Sequence, residues 1–236
     1  MQKNKTKNGF TLAEILTTLC IMGFVMAVTI PNLMQTTYKN TCVDGLKKTY
    51  GVLDQATTQI MSNNSGTLIS AFSSSTDLQT KFGNILEYNQ ICSTGSVTGN
   101  CWASSTLPLF GGTIQESFNA NTNYTGAVLA DGTDLLFYLT NPTCNGTGVS
   151  IVSPYASNTQ TYLCGYIIAD VNGFAKGPNQ FGRDIFIFLL GSNGLYKGGS
   201  LYTKYYDPTV DCSTSNTTHN GDGCADVVLN AQAINY

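Results

Sequence analysis

From Phe10 to Ile30 the chain runs for 21 residues with one carboxylate, Glu14, and no basic residue. An unpaired carboxylate in an apolar run costs on the order of a few kcal/mol, so Glu14 calls for a partner of opposite charge or a strong donor. A second set of polar residues lies in Asp170-Val-Asn172-Gly173, followed at a distance by Asp184. Asp-x-Asn-Gly offers hard oxygen ligands at a sharp turn, as calcium loops do, and Asp184 adds a third ligand from the far side. The same residues also suit an Asx-type turn whose glycines supply positive φ. Both readings stand on sequence alone. The spacing is not that of an EF-hand, and no glutamate closes the loop.

No catalytic constellation is visible. The single histidine, His219, sits in a polar stretch, and no serine occupies a Gly-x-Ser-x-Gly elbow. Asp207, Asp211 and Asp222 lie among Ser, Thr and Asn, as solvated loop acids do. Of eight cysteines, Cys20 falls in the apolar run and Cys42 in the helical stretch after it. The other six form three local pairs with Gly-, Ser-, Thr- and Asn-rich flanks: Cys92 with Cys101, Cys144 with Cys164, Cys212 with Cys224. Short loops and turn-rich flanks favour these disulfides among the many connectivities six cysteines allow. Zinc would want Cys-x-x-Cys or histidine ligands, and the chain has neither arrangement.

These residues must be positioned by an α+β fold. The apolar run would reach about 31 Å as a helix, enough for a bilayer core of roughly 30 Å. Pro31 removes one helical hydrogen bond and kinks the axis unless the helix restarts there. Beyond it, Leu33, Met34, Tyr38, Cys42, Val43, Leu46, Tyr50, Leu53, Ala56, Ile60 and Met61 recur at steps of three and four, which makes one stripe of an amphipathic helix. Gly66 is the stop. Residues 76–90 suit a short helix capped by Ser75 or Thr76. Four strands follow: Tyr124–Ala130, Asp134–Thr140, Tyr162–Ala169 and Asp184–Leu190, with a hairpin turn at Asp131-Gly132-Thr133 and another at Ser192-Asn193-Gly194. Leu195–Lys197 is placed to pair back across the second turn. A short helix follows Cys224. The expected layout is an antiparallel sheet of about four strands laid over the amphipathic helix.

The opening residues carry a family resemblance. Lys5-Thr6-Lys7-Asn8-Gly9-Phe10-Thr11-Leu12-Ala13-Glu14, ahead of a long apolar run, resembles the class III signal sequence of type IV pilins and type II secretion pseudopilins. The resemblance implies cleavage by a prepilin peptidase between Gly9 and Phe10, methylation of the new Phe10 amine, and a role in assembly for Glu14. It also implies a proline about where Pro31 stands. An ordinary secretory signal would place its apolar run before the cut instead. The chain then divides into a leader (1–9), a transmembrane and filament-core helix (10–31), an amphipathic helix (32–62) and a globular pilin-like domain (63–236). The domain comprises a variable loop region (65–123), the sheet (124–200) and a C-terminal loop with a short helix (201–236). Implied partners are prepilin peptidase, an inner-membrane assembly platform and other pilin-like subunits in a homo- or hetero-oligomeric filament. Calcium is the one cofactor suggested, because major pseudopilins bind it in a loop of comparable position.

Composition agrees with an extracytoplasmic role. The 236-residue chain has a net charge of −3 and only 11% charged residues, with no basic face for nucleic acid. Lysines flank both ends of the apolar run (Lys3, Lys5 and Lys7; Lys39, Lys47 and Lys48), so charge alone does not orient it. Disulfides do: they place the C-terminal domain outside the cytoplasm and the leader inside. Two functions follow. One is a structural filament subunit, pilus or pseudopilus, and not an enzyme. The other is a membrane-anchored extracytoplasmic ligand-binding protein or enzyme that uses a pilin-like anchor. The missing catalytic set weighs against an enzyme. Retention of Glu14 weighs toward a subunit in the filament body, since the family's tip subunit tends to lack that glutamate.

Overall fold

A computed structural model of the chain describes residues 11–109, 123–145, 163–199, 212–213 and 221–236. Gly9, Phe10, Asp207, Asp211 and His219 lie outside them. The chain divides into two compact units, Met1–Lys39 and Asn40–Tyr236.

Helix α1 spans Leu12–Asn63 and continues through Pro31 without restarting. Its portion in the first unit is apolar all round, and large side chains such as Leu19, Phe24 and Leu33 are exposed. By length and composition it can cross a membrane. In the first unit hydroxyls bond back into the helix: Thr18 donates to the Glu14 carbonyl at 3.0 Å, Thr29 to Val25 at 2.8 Å and Thr36 to Asn32 at 3.0 Å. That is the arrangement hydrocarbon demands, because no water is there to take these protons.

In the second unit α1 becomes one-faced. Cys42, Val43, Leu46, Leu53, Ala56 and Ile60 are buried at helical spacing. Tyr50 stacks on Phe188 of the sheet with ring centroids 5.9 Å apart. Gly45 lets the backbone come close: a Cβ there would stand 3.1 Å from the Val171 carbonyl. The helix stops where Ser65 and Gly66 turn to positive φ and the Gly66 amide bonds back to the Met61 carbonyl.

Six strands, not about four, form the sheet: β1 (Tyr88–Cys92), β2 (Tyr124–Leu129), β3 (Asp134–Leu139), β4 (Leu163–Asp170), β5 (Ile185–Gly191) and β6 (Gly194–Lys197). They lie in sequence order, each antiparallel to the next. Leu195–Lys197 pairs back on β5 and supplies one added strand. The other, β1, falls where helical spacing extends the short helix to residue 90. Helix α2 (Ser75–Gly83) ends earlier, because the Tyr88 ring folds against Gly83, where a Cβ would meet it at 2.6 Å. Its cap is Ser74, one residue before the expected Ser75 and two before Thr76, with the Ser74 hydroxyl accepting from the Asp77 amide.

All of β4 and β5 is buried, so both faces of the sheet are covered. On one face Tyr166, Ile168 and Ile187 pack with Val97, Trp102 and Phe181. On the other, Phe137 meets Phe82 of α2, and Phe188 meets α1. Disulfides join Cys92 to Cys101, Cys144 to Cys164 and Cys212 to Cys224, while Cys42 is buried and reduced. The last pins helix α3 (Cys224–Ala231).

Gly165 lies where β3 and β4 press closest: a Cβ there would fall 2.2 Å from the Tyr138 carbonyl oxygen, a backbone atom that cannot step aside. Gly165→Ala is expected to destabilise the protein by about 1–3 kcal/mol or more. Chemical denaturation of the detergent-solubilised full chain measures this, and an unchanged midpoint would refute the close approach.

Candidate functional site

Two places gather polar groups that the bulk of the fold does not require. The first is the start of α1. The Thr11 amide and hydroxyl each donate to Glu14 Oε2 at 2.8 Å, and the Glu14 amide returns a bond to Thr11 Oγ1 at 3.3 Å. This reciprocal pair is a capping box. It satisfies two helix-start donors and gives the Glu14 carboxylate strong donors in its own chain.

The second place is one end of the sheet, where β3 begins, β4 ends and β5 begins. In an antiparallel meander these three points are neighbours, and each carries an aspartate: Asp134, Asp170 and Asp184. All three are buried, at 2%, 1% and 0% exposure. Asp134 and Asp170 are direct partners in the β3–β4 register. The loop between Asp170 and Asp184 folds back on itself. The Asn172 amide donates to Asp170 Oδ1 at 3.3 Å, which makes the Asx turn. Gly173 follows at φ 81°, and a Cβ there would lie 2.6 Å from the Gly132 carbonyl oxygen, so only glycine fits against the β2–β3 hairpin. Phe174–Lys176 make one 3-10 turn. The Phe174 amide donates to Asp134 Oδ2 at 2.7 Å. Asp184 closes the loop: its two oxygens accept the amides of Asn179 at 3.0 Å and Gln180 at 2.6 Å.

Electrostatics at this end are unbalanced. Burial pushes the Asp170 carboxyl up to about 8, reinforced by the charges of Asp184 and Asp134 and opposed by the amides of Asn172 and Gly173. Burial likewise pushes Asp134 up to about 6, opposed by the Phe174 amide. Between Asp170 and Asp184 three buried acceptor atoms, Asp170 Oδ2, Asn172 Oδ1 and Asn179 Oδ1, and one buried donor, Arg183 Nε, have no hydrogen-bond partner.

Asp170 and Asn172, two of the residues expected to hold calcium, therefore each present an orphaned oxygen, which fits a hard cation. Asp184, the third, spends both oxygens on backbone amides and serves as the clamp of the turn. Among the described residues no three His, Cys, Asp or Glu side chains are gathered so as to hold a metal by themselves, so any cation here must also draw on amide oxygens. Sequence reading missed Asp134 and Asn179. The available signal was an acidic residue at the end of each of three otherwise apolar strands that a meander brings together.

The chain matches no family model, no curated protein and no solved structure.

Asp184→Ala is expected to leave the buried amides of Asn179 and Gln180 without an acceptor, at about 1–3 kcal/mol each. Thermal unfolding of the full chain in calcium-free buffer should show a drop of several degrees. An unaltered melting curve would mean that Asp184 does not hold the turn.

Proposed function

We propose that the chain is a structural subunit of a type IV pilus or type II secretion pseudopilus, anchored in the membrane and assembled through α1. The observation that carries this reading is the Gly9-Phe10-Thr11-Leu12-Ala13-Glu14 junction placed immediately ahead of the apolar half of α1. Three further features support it. The large apolar side chains of α1 in the first unit are exposed, and the Thr18, Thr29 and Thr36 hydroxyls bond back into the helix. Within the second unit α1 is one-faced and the sheet covers it. Three disulfides suit a domain exported from the cytoplasm.

On this reading prepilin peptidase removes residues 1–9 and the new Phe10 amine is methylated. The subunit waits in the inner membrane with its C-terminal domain outside, and an assembly platform moves it into the filament. Glu14 is then the register pin. In the waiting subunit the Thr11 capping box keeps its charge solvated by the chain itself. In the filament the carboxylate pairs with the Phe10 amine of a neighbouring subunit. Removing one partner of such a buried pair costs about 3–5 kcal/mol, so a subunit docked out of step is rejected.

N-terminal sequencing and intact mass of membrane-extracted protein should show a chain that begins at methylated Phe10; any other start sinks the reading. Glu14→Ala and Glu14→Gln should leave cleavage and folding intact and reduce sheared-filament yield at least about tenfold, as expected for the loss of more than 1.4 kcal/mol. Processed wild-type protein that stays dispersed in the membrane would favour the anchored binding protein instead.

A further inference from the structure

We infer that Lys197 and Asn230 become joined by an intramolecular amide, formed when the Lys197 amine displaces ammonia from the Asn230 carboxamide while Asp226 carries the proton. Such a bond ties β6 to α3 and is independent of the filament reading.

The backbone brings the three residues together. Lys197 ends β6, and Gly198 and Gly199 follow it. A Cβ at Gly198 would fall 2.3 Å from the Asp222 carbonyl oxygen, and one at Gly199 would fall 2.5 Å from that of Gly223. Only glycines therefore let the strand end lie against the start of α3. The Asp226 amide donates to the Gly198 carbonyl at 3.0 Å, which fixes the first turn of α3 beside the residue after Lys197. Asp226 and Asn230 stand four apart on α3 and share one face. The Cys212–Cys224 bridge holds the first residue of that helix.

The side chains close a triangle. Lys197 Nζ lies 3.0 Å from Asp226 Oδ1 and donates to Asn230 Oδ1 at 3.1 Å. Asn230 Nδ2 donates to Asp226 Oδ2 at 3.1 Å. Turning the carboxamide over would set its NH2 against the ammonium and its oxygen against the carboxylate, so the network fixes which end is which. The Lys197 and Asp226 side chains are only 23% and 18% exposed, and the ammonium stands over the Tyr50 ring of α1, 6.0 Å from its centroid. A simple ion pair needs one carboxylate oxygen. Asp226 instead puts one oxygen on the nucleophile and the other on the leaving group, the arrangement a proton carrier requires.

The step balances without a co-reactant. Asp226 takes a proton from the Lys197 ammonium through Oδ1. The freed amine is already in contact with the carboxamide, and such proximity turns a slow bimolecular aminolysis into an intramolecular one. Its lone pair adds to Asn230 Cγ, and the carbonyl electrons move onto Oδ1. Protonated Asp226 then gives its proton to Nδ2. The Cγ–Nδ2 bond breaks, ammonia leaves with that electron pair, and the carbonyl re-forms. The surplus proton on Nζ goes to the departing ammonia, so lysine's positive charge leaves as ammonium and Asp226 ends as a carboxylate. Asn230 is exposed, which gives the ammonium a way out. The product is a covalent strut that holds α3 on β6 even where a reductant opens the Cys212–Cys224 bridge.

The test is the intact mass of the detergent-extracted full chain, with its disulfides reduced, against the Lys197→Arg and Asp226→Asn variants. Arginine keeps the charge over Tyr50, and asparagine keeps the shape beside Lys197, but neither supports the reaction. All three proteins share the same N-terminal processing. After allowance for each substitution, wild type should be lighter than both variants by the mass of one ammonia. Its proteolytic digest should yield a branched peptide that joins Lys197 to Asn230, a result read on wild type alone even where a variant fails to fold. Wild type of full mass after prolonged incubation at mildly alkaline pH would overturn the proposal. So would a loss of water, which marks a bond to Asp226 instead, and so would an ammonia loss that Lys197→Arg retains, which places the loss elsewhere in the chain.

Discussion

The sheet has to be covered on both sides, and most of the second unit follows from that requirement. Antiparallel sheets commonly leave one face to water and read as alternating apolar and polar residues. Here β4 and β5 are buried at every position, and their sequences, Leu163–Asp170 and Ile185–Gly191, are almost continuously apolar. One cover is the stripe of α1 with α2 beside it. The other is irregular chain, held in place by the Cys92–Cys101 bridge and by Trp102, which is fully buried. Irregular chain makes a poor lid on its own, because it lacks the internal hydrogen bonds that hold a helix in shape. A covalent bridge and one large aromatic side chain supply the rigidity that a second helix would otherwise provide.

The same requirement explains the acidic end of the sheet. Strands that are apolar throughout must end in something that turns the chain, and aspartate does so by accepting backbone amides. Asp131 takes the Thr133 amide, Asp170 the Asn172 amide and Asp184 those of Asn179 and Gln180. Local turn chemistry at three neighbouring strand ends thus accumulates negative charge in one place. Lys48 of α1 reaches Asp131 at 2.9 Å, but that pair lies on the surface of the hairpin, where it relieves little of the charge buried below. The loop also touches α1 through Val171 beneath Gly45. Whatever orders the loop therefore also braces the helix.

The long helix was legible because its pattern is long and its two halves are distinct: apolar all round, then apolar on one face. Four strands were legible because runs such as Ile185–Leu190 are too short and too rich in β-branched and aromatic residues for a helix. β1 was not. Ile85 and Leu86 continue the spacing of Leu78 and Phe82, and nothing local reveals that the chain reverses at Gly83 to bring the Tyr88 ring back. The site was half legible. Asp170 and Asn172 stand in a recognisable turn. Asp134 is hidden by its neighbours, because Asp131-Gly132-Thr133-Asp134 reads wholly as a hairpin. Asn179 follows Gly177-Pro178 and reads as loop filler. Only the register, which sets Asp134 opposite Asp170, and the return of the chain to Phe174 bring these two residues to the same end of the sheet.

A meander in which every strand pairs only with its neighbours in sequence has a consequence for how the chain is made. The β2–β3 and β5–β6 hairpins close short loops, and because loop-closure entropy grows only slowly with length, the longer connections between the other neighbours still let the sheet grow strand by strand as the polypeptide emerges. The α1 stripe is different. Leu46, Leu53 and Ile60 are synthesised early, yet the Phe188 ring that Tyr50 stacks on lies more than a hundred residues later. For most of the chain's emergence the oldest apolar surface of the domain has no partner. The order of synthesis therefore puts the greatest aggregation hazard first and its remedy near the end, and makes late arrival of β5 the step that commits the domain to its native state.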